Sequence, residues 1–247
     1  MGATRGKNIR TDGGLDGLIL YLDAANVKSY SRSAATWKDL MSDYNGNLEN
    51  SPTFSTEYGG YFAFDGVNDG GDFDINSNLN IDSSHNYSIT AECWVRVPTV
   101  NHDIFIIARY SYNAGTPSNG WFMGYQIDTL NSSKTRFIFH GRESSAAYLG
   151  NCRTDYIYDV DRWYHICGVK SGSNWQLYVN SELAVSVTQG NGTTPFYDNP
   201  FDIAQWDSTA VGLRDTRIDI ATVKVFNRAL TQSEIEISYN STKERFR

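Results

Sequence analysis

Apolar and polar positions alternate with a period of two along much of the chain, most clearly between Ile89 and Val97. There Ile89, Ala91, Cys93, Val95 and Val97 fall on one face and Thr90, Glu92, Trp94 and Arg96 on the other. Side chains alternate across a strand, so the pattern predicts a half-buried strand that ends at Pro98. Short apolar windows predict further strands at Leu18 to Leu22, Tyr61 to Phe64, Ile104 to Ala108, Phe122 to Ile127 and Arg136 to His140. Others follow at Trp163 to Lys170, Trp175 to Val179 and Ala184 to Thr188, with turn-forming residues between each pair. Near the end, Ile218 and Ile220 share one parity and Val223 and Val225 the other. That strand is either bulged or buried on both faces, as a central position in a sheet would require.

One segment departs from this period. Thr231 can cap the amide of Glu234, Glu234 can reach back, and Leu230 can staple onto Ile235, which predicts a short helix from about Gln232 to Tyr239. Many short strands with turns between them, and one helix, make the chain all-β, a sandwich or a barrel. Aromatic residues at 14% fit a strand-rich fold. The 247 residues suit one large domain, residues 15–247, preceded by a Gly-rich, slightly basic stretch at 1–14 that reads as a flexible arm.

Charge narrows the partners. The formal net charge of −7 and the scarcity of lysine argue against binding a nucleic-acid backbone. The longest apolar runs span five residues, far short of the roughly 20 that cross a bilayer, so no membrane-spanning role is expected. Cys93, Cys152 and Cys167 have no metal-ligand spacing and read as reduced, buried thiols. With no apolar core in the first fourteen residues, they imply synthesis in a reducing cytoplasm.

Enzyme signatures are missing, so no catalytic residue is assigned. None of His85, His102, His140 and His165 stands in a Ser or Cys signature, and there is no Gly-rich phosphate loop. Glu234 and Glu236 are the nearest pair of glutamates for glycoside hydrolysis, but Glu234 belongs to the helix cap. Two acidic clusters are open to two readings. Asp43, Asn45 and Asn47 alternate like the start of a calcium loop, and Asp65, Asn68, Asp69, Asp72 and Asp74 crowd a second turn. They are Asx-turn residues or the ligands of one structural calcium. No other cofactor is implied. Sugar binding would use an aromatic platform beside polar side chains, and Tyr110, Tyr112, Trp121 and Trp206 fall at or near predicted loop tips. Trp206 with Asp207 is the leading pair, with core packing the competing reading for Trp206. Trp175 reads as a surface strand residue.

Several segments together carry a resemblance. GLILYLDAANVKSYSRSAATWKDL, YFAFDGVND, ITAECWVRV, RWYHICGVKSGSNWQLYVNSELA and IATVKVFNRALTQSEIEISYN, in this order, resemble the laminin-G-like branch of the concanavalin A-like lectin/glucanase superfamily, from about Gly17 to Asn240. The resemblance implies a two-sheet antiparallel jelly-roll β-sandwich with a short C-terminal helix. It places Trp37, Trp94, Trp163 and His165 in the framework. The Glu-x-Asp-x-x-Glu pattern of its glucanase members is absent, Ser181 replaces a hairpin glycine, and Ala221 stands where many relatives carry an acid.

LYLDAANVKSY and FNRALTQSEI further resemble domains of tailed-bacteriophage structural proteins. This implies a non-enzymatic virion component, a capsid decoration, fibre or tail part made in the host cytoplasm and displayed on the virion surface. Its partners would be capsid or fibre subunits, with the chain oligomeric or lattice-bound, and cell-surface polysaccharide. The alternative is a free carbohydrate-binding module or adhesin of a cell.

Overall fold

The computed structural model describes residues 16–42, 44–73, 82–98, 104–111, 119–142, 148–190, 201–206 and 214–247. In chain order the strands are β1 (Leu18–Asp23), β2 (Thr36–Lys38), β3 (Asn45–Glu49), β4 (Thr53–Ser55), β5 (Tyr61–Asp65), β6 (Gly70–Phe73) and β7 (Ser88–Arg96). They continue as β8 (Ile104–Ser111), β9 (Asn119–Ile127), β10 (Lys134–Arg142), β11 (Tyr148–Arg153), β12 (Tyr158–Asp159) and β13 (Trp163–Ser171). The last are β14 (Asn174–Val179), β15 (Glu182–Thr188), β16 (Phe201–Ile203), β17 (Gln205–Trp206), β18 (Arg214–Asp215) and β19 (Arg217–Phe226), followed by helix α1 (Gln232–Thr242).

Two antiparallel sheets face each other. The back sheet runs β15-β14-β13-β7-β19-β5-β4 with β1 also on β19, and the front sheet runs β11-β10-β9-β8-β16-β6-β3-β2 with β12 on β10. Between them lie Leu20, Phe62, Val95, Ile220 and Val223 from the back, and Trp121, Met123, Tyr125, Phe137 and Phe139 from the front. This is the jelly-roll sandwich that the strand pattern and the resemblance imply. β19 turns out to be both bulged, between Ile220 and Thr222, and central, with β7 on one side and β1 and β5 on the other. Among the described residues no helix is long and apolar enough to cross a membrane.

Two sequence expectations change. β7 is buried on both faces, not one, because α1 covers its polar side. There Glu92 meets the Lys224 ammonium at 2.7 Å and His165 Nε2 at 3.5 Å, while Ser238 of α1 donates to Glu92. Trp94 Nε1 donates to Thr242 at 2.8 Å, and the Trp94 ring stacks on Tyr239 and Phe246. The polar parity of the strand is therefore a docking surface for the helix. Trp175 is likewise no surface residue: it is fully buried, against Phe139 and over two glycines, Gly141 and Gly150.

The strands that the sequence pattern missed span two to six residues, and three of them, β3, β6 and β11, contain glycine. In β3, Gly46 is required because a Cβ there would stand 2.2 Å from the Phe73 ring. The α1 capping box forms as expected, with Thr231 and Glu234 exchanging bonds and Ile235 buried. Cys93, Cys152 and Cys167 are free and buried.

The β14–β15 hairpin turns on Asn180 and Ser181, at φ 51° and 68°, the left-handed pair of a type I′ turn. Serine pays a steric penalty there that glycine does not. Ser181→Gly is expected to raise the unfolding free energy by about 0.5–1 kcal/mol, the strain relief exceeding the entropy of the freer unfolded chain. Chemical denaturation of the two proteins checks it.

Candidate functional site

The back sheet carries a cleft of about 580 Å³ on its outer face. Strand register builds it, because Thr53, Ala63, Asp219, Arg96 and Trp163 stand opposite one another in a line across β4, β5, β19, β7 and β13. Asp65 and Arg217 form the next line. The β5–β6 turn contributes Val67, and the turn before β13 contributes Asp161.

Arg96 is the fixed centre. Its Nε donates to Asp219 at 2.6 Å and its Nη2 to the Tyr61 hydroxyl at 3.0 Å. The Tyr61, Trp163 and Tyr58 rings lie 5.2, 5.5 and 5.9 Å from the guanidinium carbon. Such packing holds the guanidinium in one orientation. Burial pushes the Asp219 carboxyl up, Arg96 opposes this, and the charge of Asp161 reinforces it. Asp161, Asp65 and Arg217 stand exposed at the rim. The cleft thus offers guanidinium, carboxylate and phenol groups around an open recess, a set suited to the hydroxyls of a sugar ring.

The loop-tip residues are not assembled into this site. Trp121 is fully buried in the main core against Phe139 and Phe201, so it presents no ring face to a ligand. Tyr110 is buried too, packed with Phe105, Ala108 and Phe122. Both lie on β8 or β9 within the front sheet rather than at a loop tip, which is why the aromatic-platform reading fails for them. Trp206 is described only through its backbone, which pairs with Arg214. Asp207 and Tyr112 lie outside the described residues, as do residues 1–15.

The acidic clusters resolve in part. Asn45 and Asn47 are exposed alternate residues of a strand, not of a loop. Asp65 accepts the amide of Val67, two residues on, at 2.8 Å, which is Asx-turn geometry, and that of Asn68 at 3.4 Å, while Asp69 reaches back to accept the amide of Asp65. Asp43 and Asp74 lie outside the described residues. Among the described residues no group of three or more His, Cys, Asp or Glu is placed to hold a metal ion.

Sequence reasoning passed over Arg96, Tyr61, Asp219 and Arg217. A signal existed: Asp219 interrupts the apolar run between Ile218 and Ile220, and Arg96 holds the polar parity at the end of β7.

Residues 66–236, more than half of the chain, match the model of a laminin-G family described as the concanavalin A-like lectin/glucanases superfamily. The chain belongs to this superfamily. No curated protein matches it. Among solved structures it is similar to the ligand-binding domain of botulinum neurotoxin serotype D in complex with N-acetylneuraminic acid, at 14% identity and a TM-score of 0.67, covering 93% of this chain and 52% of that one. Trypanosoma rangeli sialidase in complex with sialic acid gives 18% identity and a TM-score of 0.66, covering 93% of this chain and 33% of that one. The binding domain of Paraclostridial Mosquitocidal Protein 1 gives 16% identity and 0.66, covering 91% of this chain and 52% of that one. This superfamily member therefore spans between a third and a half of those chains, and the likeness is one of fold, a lectin-like sandwich.

Proposed function

We propose that this chain is a non-enzymatic lectin-like module that binds glycans in the Arg96–Asp219 cleft and is displayed on a virion surface as a capsid decoration, fibre or tail component. The carrying observation is the guanidinium of Arg96, fixed in an open cleft by bonds to Asp219 and the Tyr61 hydroxyl and by the Tyr58, Tyr61 and Trp163 rings. A lectin site gains affinity from groups already held in their binding geometry. The sialic acid complexes among the structural neighbours support a glycan as ligand. The virion setting is supported by the LYLDAANVKSY and FNRALTQSEI segments. The second reading, a cellular carbohydrate-binding module or adhesin, is favoured by neighbours that are the binding domains of a neurotoxin and of a mosquitocidal protein.

A glycan array followed by calorimetry tests the cleft. Asp161→Asn and Arg217→Ser change exposed rim residues, and each is expected to weaken the array hit on the order of tenfold, the loss of one charge-assisted hydrogen bond. Binding equal to the unsubstituted protein in both variants overturns the site, and a loss in Trp206→Ala instead moves it to Trp206. Mass spectrometry of gradient-purified particles from the source tests the setting. Copies in proportion to the capsid lattice mean decoration, a handful per particle mean fibre or tail, and absence favours the cellular reading.

A further inference from the structure

The outer face of the front sheet carries a second arrangement that stands independently of the cleft. Phe137 and Phe139 point into the core, so Arg136, His140 and Arg142, on the other parity of β10, face outward. Register places Gln126 opposite Arg136, Phe122 and Asn151 on either side of His140, and Arg153 opposite Ile138. Two guanidiniums therefore sit on neighbouring strands of one face, one diagonal step apart.

What distinguishes them is how they are held. Arg136 donates through Nε to Oε1 of Gln126 at 2.9 Å and through Nη2 to the same oxygen, with the Tyr156 ring 4.2 Å from its Cζ. Arg153 donates through Nε to Oδ1 of Asn151 at 2.9 Å. Among the described residues neither has a carboxylate partner, and the two terminal nitrogens of Arg153 have no acceptor. Neutral amides fix both cations in place without discharging them. This contrasts with Arg96, Arg228 and Arg245, each of which is paired with a carboxylate. His140 adds no charge near neutral pH, because burial chiefly, with Arg142 and Arg153 nearby, holds it down to about 4 against its bond with Asn151.

We propose that this face binds the carboxylate or sulfate groups of an acidic polysaccharide, with the terminal edge of Arg153 gripping two oxygens of one anionic group and Arg136 supplying the second contact. A planar guanidinium edge matches two oxygens of such a group. The molecule as a whole carries −7, so attraction to a bare polyanion is opposed at long range. Affinity must come from contacts that a sugar also satisfies, namely the Gln126 and Asn151 amides and the half-buried Phe122 ring beside them.

The test is calorimetric titration of the full chain with polygalacturonate, dextran sulfate and neutral dextran, alongside Arg153→Gln, Arg136→Gln/Arg153→Gln and the cleft variant Arg217→Ser. Thermal melts confirm that each variant folds. The expected result is binding to one or both charged polymers and not to dextran, weakened on the order of tenfold by Arg153→Gln, abolished in the double variant, and unchanged in Arg217→Ser. Which charged polymer binds distinguishes carboxylate from sulfate. Retained binding in a folded double variant overturns the proposal, as does equal binding of a single-stranded oligonucleotide. Loss in Arg217→Ser alone assigns the anion to the cleft and overturns this second site.

Discussion

Glu92→Ala is expected to lower the unfolding free energy by about 3–5 kcal/mol, because it leaves a buried ammonium without its counter-charge. The Glu92 carboxylate is 2% exposed and lies between Lys224 at 2.7 Å and His165 at 3.5 Å. Burial alone would raise its pKa, but Lys224 and the hydrogen bond with His165 more than reverse that and hold it below the usual carboxylate range. A carboxyl depressed in the fold contributes stability above its unfolded value of 4.5, and this contribution is lost as pH falls below it. Denaturation at pH 7 and pH 3 should show the Glu92→Ala deficit at pH 7 and a smaller one at pH 3. Glu92→Leu/Lys224→Leu, which removes both charges, should recover much of the loss. A Glu92→Ala protein as stable as the unsubstituted one at pH 7 refutes the account.

The other large effect lies two strands away in the back sheet, on the inner face of β14. Trp175→Ala should cost about 3–5 kcal/mol, since its indole is fully buried. A Cβ added to Gly150 would stand 2.1 Å from the Trp175 ring, and one on Gly141 would stand 2.2 Å from it. Gly150→Ala should therefore cost about 1–3 kcal/mol by overpacking. The double variant Gly150→Ala/Trp175→Ala should lose less than the two single losses together, because the added methyl enters space that the indole has left. Additive losses measured by denaturant titration would mean that the glycines are there for another reason.

The strand pattern was legible because a period-two signal needs only local residues, as in β7 and β13. What sequence missed was set by distant partners. β6 reads GGDF and looks like a turn, yet it pairs with both β3 and β16. Trp175 and Trp121 looked available because nothing local announces that Gly141 and Gly150, or Phe139 and Phe201, close over them. The cleft escaped for the same reason. Thr53, Ala63, Asp219, Arg96 and Trp163 are scattered over more than a hundred positions, and only register aligns them.

β19, an interior strand of the back sheet, is also the last strand of the sandwich in chain order. Among the described residues β1 pairs with β19 alone and β5 otherwise only with the three-residue β4, while β7 has β13 on its other side, so the two halves of the back sheet are not joined until residues 217–226 have left the ribosome. Arg245 then bonds Asp23 across 222 positions of sequence. Pairings this distant make folding slow, and assembly of the sandwich has to wait until β19 has been made. During that interval β1 is an unpaired apolar strand and β7, paired with β13 on one side, leaves its other edge open. The yield of the protein should therefore depend on chaperone capacity more than its final stability would suggest.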